Sequence, residues 1–324
     1  MTMPVRFLAG LSGLALTLAG CAAQPMDDTV YSAQTPASAA PVKVVETDSA
    51  AMLDRADADP ALWKVSDADT TIYLFGTMHA LKKDLVWFDD AVKDAFDSSD
   101  ELVIEMLDPD PATMQPVMQG AAMRADGTLL SSDLTAEQQA KLAEATAKLG
   151  IPVTALEPMQ PWFAAVQLAV VSMTKLGFGA DAGAESILKK AAKARGIEVS
   201  GLETFEQQMG FFSGLSSEDQ VEFLMAGVEQ IDEMDQMFLD MERYWGTGNV
   251  EKTAELLQDG MDESPELFEV LLAGRNRAWA EWIDTRLDSP GTVFVAVGAG
   301  HLAGKDSVQD ALRARDIQTV RVPY

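Results

Sequence analysis

The chain has 324 residues, with 24 Lys and Arg against 51 Asp and Glu and a formal net charge of −27. So acidic a chain is repelled by nucleic acid instead of gaining from counterion release, and an anionic membrane surface offers it no electrostatic attraction; multivalent cations are its natural small partners. A single cysteine excludes an intrachain disulfide and a Cys-based zinc site, and two histidines confine metal or acid–base chemistry to themselves and to carboxylates.

Behind the lone charge of Arg6, an apolar run from Phe7 to Gly20 is too short to span a bilayer comfortably and suits a signal-peptide core. It ends Leu18-Ala19-Gly20-Cys21, which resembles the bacterial lipobox, and the only cysteine stands where that motif needs one. The resemblance implies a lipoprotein signal peptide over 1–20 and a lipidated, N-acylated Cys21. With Ala22 following, it further implies a cell-envelope protein anchored in the outer membrane and facing the periplasm. Losing residues 1–20 removes one Arg and no acid, which takes the charge from −27 to −28. Residues 22–50 are rich in Ala, Ser, Thr and Pro and cannot bury enough surface to order themselves. The expected organisation is therefore a tether over 21–59 and one folded domain over 60–324.

Apolar runs bounded by turn residues predict strands at Leu62–Val65 and Thr71–Phe75, joined by a hairpin turn at Ser66–Asp69. Further strands are expected at Glu101–Glu105, Ile197–Leu202, Thr292–Val297 and Gln318–Val322. Helical patterns fall at Asp89–Phe96, Ala136–Lys148, Pro161–Leu176, Ala184–Arg195, Ser217–Tyr244, Val250–Leu257 and Pro265–Leu287. Within Ser217–Tyr244 and just beyond it, Leu224, Val228, Ile231, Met234, Phe238, Met241 and Trp245 keep a spacing of three or four, a core stripe opposite an acidic face. Trp162 and Trp245 read as packing residues at helix ends. Strands at both ends of the chain with helices between them predict an α/β fold: a mostly parallel central sheet flanked by helices. A helical insertion over Ser217–Asp288 precedes the last strands.

Both histidines follow strands, in Gly76-Thr77-Met78-His79 and Gly298-Ala299-Gly300-His301, each three positions after a glycine. Glycine at a strand end permits a sharp turn and close approach to a ligand, and the imidazole then enters the crevice beyond the strands' carboxyl ends. Glu105 and Glu203 close two further strands, the latter ahead of a helix whose Thr204 and Gln207 form a capping-box pattern. Two imidazoles and two carboxylates suit a divalent Mn, Co or Zn ion, with the carboxylates favouring Mn. Such an ion acidifies a bound water, and a spare glutamate serves as general base. Which glutamate is ligand and which is base stays open. Arg275, in Gly274-Arg275-Asn276-Arg277, either clamps an anionic substrate group or pairs with an acid of the chain.

The segments LFGTMH, ELVIEM, SGLETFEQQ, GRNRAW and VAVGAGHLAG together resemble the TraB/PrgY/GumN family, related to the Tiki metalloproteases and the EreA/ChaN-like superfamily. The resemblance runs from Leu62 to Val322. It implies an α/β fold whose cleft holds the two motif histidines, His79 and His301, with Glu105 as a third metal ligand. Glu105, Glu203 and Arg275 stand as catalytic residues, and Asn276 completes a family Arg-Asn pair. It also implies a metal-dependent hydrolase, a peptidase acting on peptides or proteins of the cell envelope. Two other readings remain: a haem- or metal-binding lipoprotein, and a non-catalytic accessory of surface-polysaccharide export or signalling.

Overall fold

The structure, a computed structural model, describes residues 56–258 and 264–324. The expected leader, Cys21 and most of the tether lie outside the described residues. Residues just before Pro60 are already tied to the domain: Ala58 is buried, its N–H donates to the Val86 carbonyl at 2.8 Å, and the Asp59 N–H donates to the Gly246 carbonyl at 2.7 Å.

In chain order the elements are β1 (Ala56–Asp57), β2 (Leu62–Ser66), β3 (Thr70–Thr77), β4 (Leu85–Val86), α1 (Asp90–Asp97), β5 (Glu101–Met106), α2 (Pro111–Ala121), α3 (Ala136–Leu149), α4 (Pro161–Lys175), α5 (Ala184–Arg195), β6 (Glu198–Glu203), α6 (Phe205–Ser213), α7 (Ser217–Glu229), α8 (Met234–Gly246), α9 (Val250–Gln258), α10 (Pro265–Phe268), α11 (Gly274–Leu287), β7 (Gly291–Gly298), α12 (Val308–Arg313) and β8 (Val320–Arg321). Six strands form one sheet in the order β6-β5-β7-β3-β2-β8, and β1 and β4 form a separate parallel pair. β6, β5, β7 and β3 run parallel, while β2 is antiparallel to both β3 and β8. The fold is the expected α/β architecture.

The sheet is covered on both faces, which is why its central strands read as continuous apolar runs. Along β7, Phe294 and Ala296 pack into the larger core under α4, α7 and α8, while Val293, Val295 and Val297 pack beneath Trp279, Ala280 and Ile283 of α11. The β2–β3 hairpin turn is closed by the Asp67 carboxylate, which accepts the N–H groups of Asp69 and Thr70.

Besides the short β1, β4 and α12, which were not expected, three departures bear on the core and the site. The helix expected over Ser217–Tyr244 is two, because a turn at 230–233 interrupts it, with the Glu233 N–H on the Gln230 carbonyl. Its apolar stripe survives the break, since Leu224, Val228, Met234, Phe238, Met241 and Trp245 are all buried. Residues 265–287 contain a π-helical turn, Glu269–Ala273, closed by the Gly274 N–H on the Glu269 carbonyl. A β-carbon at Gly274 would lie 2.9 Å from that carbonyl oxygen. The sequence also conceals α2, whose Asp110 cap and Pro111 start are favourable but whose internal Pro116 reads as a breaker. Among the described residues no helix is long and apolar enough to cross a membrane.

Candidate functional site

Because β3, β5, β6 and β7 are parallel, their carboxyl ends lie on one side, with Thr77 opposite Gly298 and Met106 opposite Glu203. His79, Glu105, Glu203 and His301 are therefore delivered to one crevice, and His79, Glu105 and His301 are only 5–8% exposed. The motif glycines supply room more than conformational freedom, since neither has a positive φ. A β-carbon on Gly76 would meet the Ala299 Cα at 3.1 Å. One on Gly298 would lie 3.0 Å from Glu105 Oε1, 3.7 Å from His301 Cδ2 and 3.8 Å from His79 Nε2. The two histidines and Glu105 thus converge on the surface of Gly298.

Arg275 ties this crevice together. Its Nε and Nη2 donate to the two oxygens of Glu203, both at 2.8 Å, and Nη2 also donates to Glu105 Oε2 at 2.7 Å. Nη1 donates to the Leu271 carbonyl at 3.2 Å and lies 3.1 Å from His301 Nε2. The guanidinium stacks over Trp279 and Phe211. Of the two roles open to Arg275, the structure displays the pairing with the chain's own acids. Glu203 is likewise filled: besides Arg275 it accepts from Trp279 Nε1 at 3.0 Å and Gln208 Nε2 at 3.0 Å. Glu105 faces the histidines, accepting the Gly298 N–H at 2.6 Å through Oε1. Burial alone would push the Glu105 carboxyl up, but Arg275, the two imidazoles and the Gly298 N–H outweigh it and hold the group down at about 2.

The hydrogen bonds fix the tautomer of His301. A guanidinium only donates, so Nε2 must be the acceptor, and Nδ1 carries the proton to Asn276 Oδ1 at 2.6 Å. Asn276 is held in that orientation because its amide nitrogen donates to the Asp306 carbonyl at 2.7 Å. Burial, and then the Arg275 charge, push His301 down to about 3 against the opposing pull of Glu105. His79 contrasts with it. Its Nδ1 lies 3.0 Å from Glu185 Oε1, while its Nε2 is buried without a hydrogen-bond partner.

The expected ligands His79, His301 and Glu105 are thus neighbours, although among the described residues no three such groups stand arranged to hold a metal ion. The chemistry of the donors nonetheless fits one. Glu105 and Glu203 share the one guanidinium of Arg275 while Glu185 stands against His79, so the crevice holds three carboxyl groups and one guanidinium. Each imidazole is also anchored through Nδ1 to an oxygen and offers Nε2 inward, the usual support of a metal-ligating histidine. The contact from Arg275 to His301 Nε2 is the one that such an ion would replace.

Sequence reasoning missed Gln208 and Glu185. Gln208 bridges Glu105 and Glu203 through one amide nitrogen. It lies on α6, one residue past the capping-box Gln207, which could have drawn attention to it. Glu185 shows no sequence signal beyond being an acid in the first turn of a helix.

The profile of the TraB/PrgY/gumN family matches residues 61–321. An uncharacterized protein of Treponema pallidum (strain Nichols) is 25% identical over 272 residues, covering 78% of this chain and 80% of its own. The uncharacterized protein YbaP of Escherichia coli (strain K12) is 25% identical over 262 residues, covering 78% and 92%. YbaP of Shigella flexneri is 25% identical over 249 residues, covering 74% and 87%. No solved structure matches the chain. With a profile match spanning the whole sheet and every residue of the crevice, the chain belongs to the TraB/PrgY/gumN family.

Proposed function

We propose that the protein is a lipid-anchored hydrolase of the cell envelope, dependent on a divalent Mn, Co or Zn ion and acting on peptide bonds of peptide or protein substrates. The observation that carries this reading is the buried, unpartnered Nε2 of His79, aimed at the same point as Glu105 Oε1 and His301. His79, His301 and Glu105 would hold the ion, which when bound supplies an acidified water and polarises a carbonyl.

The remaining side chains limit the reaction class. The Thr77 hydroxyl is spent donating to Glu185, and the only cysteine is Cys21 in the leader motif. Water is therefore the attacking group, not a side-chain nucleophile. Glu203 and Arg275 are saturated by one another and by Trp279, Gln208 and Leu271, so their part is to position Glu105 and His301. Near neutral pH Glu105 is fully ionised and His301 neutral, as ligands must be.

The test is metal stoichiometry beside turnover of a peptide library by the chain lacking residues 1–20, supplied with Mn²⁺, Co²⁺ or Zn²⁺. His79→Ala, His301→Ala and Glu105→Gln should lose metal and turnover together, and chelation should abolish hydrolysis. Hydrolysis by both histidine variants at the wild-type rate would overturn the reading. Stoichiometric metal without turnover would instead favour a metal-binding lipoprotein.

A further inference from the structure

The carboxyl group of Glu185 is nearly buried beside His79. Glu185 lies on the first turn of α5, whose amino terminus is docked against the backbone that carries His79. The Ala184 N–H donates to the Met78 carbonyl at 2.8 Å, and Ala184 is fully buried. Gly183 admits no side chain there: a β-carbon would lie 2.0 Å from the His79 carbonyl oxygen and 2.5 Å from its carbon. This close contact brings Glu185 Oε1 to His79 Nδ1 at 3.0 Å, and the Thr77 hydroxyl donates to the same oxygen. Residues from two elements far apart in the chain, with Thr77 and Glu185 108 positions apart, are thereby locked around one imidazole edge.

We propose that Glu185 is the positioning residue of His79, fixing the ring as its Nδ1–H tautomer and pointing the Nε2 lone pair at Gly298. This inference rests on the hydrolase reading for its purpose, although its geometry does not. An ionised carboxylate only accepts hydrogen bonds, so the facing ring nitrogen must donate. Thr77 holds the accepting oxygen from its other side, which fixes the direction of the carboxylate and hence the plane of the ring. The free imidazole favours the opposite tautomer, so without Glu185 the proton would move to Nε2 and close off the lone pair that faces the crevice. The two histidines are thus supported unequally. An amide orients His301, whereas a carboxyl group orients His79, the kind of support that raises the donor strength of Nε2.

The chain contains only two histidines, so the imidazole spectrum of ¹⁵N-histidine-labelled protein consists of two rings. At pH 8, without metal, both rings of the wild type should show the neutral Nδ1–H pattern. In Glu185→Ala the His79 ring should move to the Nε2–H form while the His301 signals stay in place, which also reports that the fold is intact. Affinity for MnCl2 should fall about 10–100-fold in Glu185→Ala. Glu185→Gln retains an oxygen acceptor without the charge, and should restore the tautomer with only part of the affinity; it also serves where the alanine variant fails to fold. Unchanged His79 signals in Glu185→Ala, or a wild-type His79 that is Nε2–H or doubly protonated, would overturn the proposal. Wild-type protein that binds Mn²⁺ but cleaves no peptide would overturn the hydrolase reading and leave Glu185's role standing.

Discussion

Replacing Arg275 by Met keeps an unbranched stem and removes the guanidinium that Glu105 and Glu203 share. Glu105 and Glu203 then lose three short charge-assisted hydrogen bonds of 2.7–2.8 Å between them, and His301 Nε2 loses its donor. Both carboxylates have side chains only 8% exposed, so water cannot replace the guanidinium fully. Breaking a buried ion pair from one side costs about 3–5 kcal/mol, which for a domain of this size lowers the melting temperature on the order of 10 °C. The six tryptophans give a fluorescence signal for urea unfolding, and the comparison is made at pH 7.5 and pH 5. The sign with pH is diagnostic. Without Arg275, burial dominates and raises the folded-state pKa of the carboxyls above their unfolded values, so the variant gains stability as pH falls to 5. The wild type, whose Glu105 is held at about 2, gains none. A loss under about 1 kcal/mol at pH 7.5, or no recovery at pH 5, would show that Arg275 does not neutralise these acids.

Further expectations follow from the same crevice. His301 has a folded pKa of about 3 against about 6.5 unfolded, so between these pH values the unfolded chain binds the extra proton and stability falls with pH by about 1.4 kcal/mol per unit. Glu105 adds a second such slope below about 4.5, and His301→Gln should flatten the profile between pH 6.5 and 4.5 in acid-titrated urea melts. Gly298→Ala puts a methyl 3.0 Å from Glu105 Oε1; it should cost about 1–3 kcal/mol and abolish metal uptake, measured by calorimetry with MnCl2. Cys21→Ser should release the protein from membranes or block its maturation, and unchanged palmitate labelling in that variant would refute lipidation at Cys21.

Much of the crevice can be read from the sequence because the apolar runs of β3, β5 and β7 lead closely into His79, Glu105 and His301. A buried run that closes on Glu105, or on glycine and then His79 or His301, has few purposes other than delivering that side chain to the strand ends. Periodicity likewise located the Leu224–Trp245 stripe, since burial is set by position around the helix and survives the turn at 230–233. What escaped depends on docking between elements. Glu185 gains its role only because Gly183 lets α5 approach the backbone of His79, and no local pattern encodes that approach. The π-turn at Glu269–Ala273 is equally silent, because it alters hydrogen bonding by one residue without altering composition. The engagement of Arg275 with both glutamates required the distances, as the residue type alone allows either partner.

The position of β7 constrains how the molecule can be made. β7 is the last long strand in the chain, yet it lies between β5 and β3, and its Gly298 reaches Glu105 across 193 positions. Until it has been synthesised, the β2–β3 hairpin and the β5–β6 pair are separate two-stranded fragments, each with an open hydrogen-bonding edge of buried-type residues. Two-stranded fragments are marginal in water and their edges invite pairing with other chains. Chains truncated before Gly291 should therefore aggregate instead of forming a partial domain, whereas chains lacking only β8 should keep their core. Sheet formation waits for a distant segment, which makes folding slow and leaves a long interval in which these edges stay open.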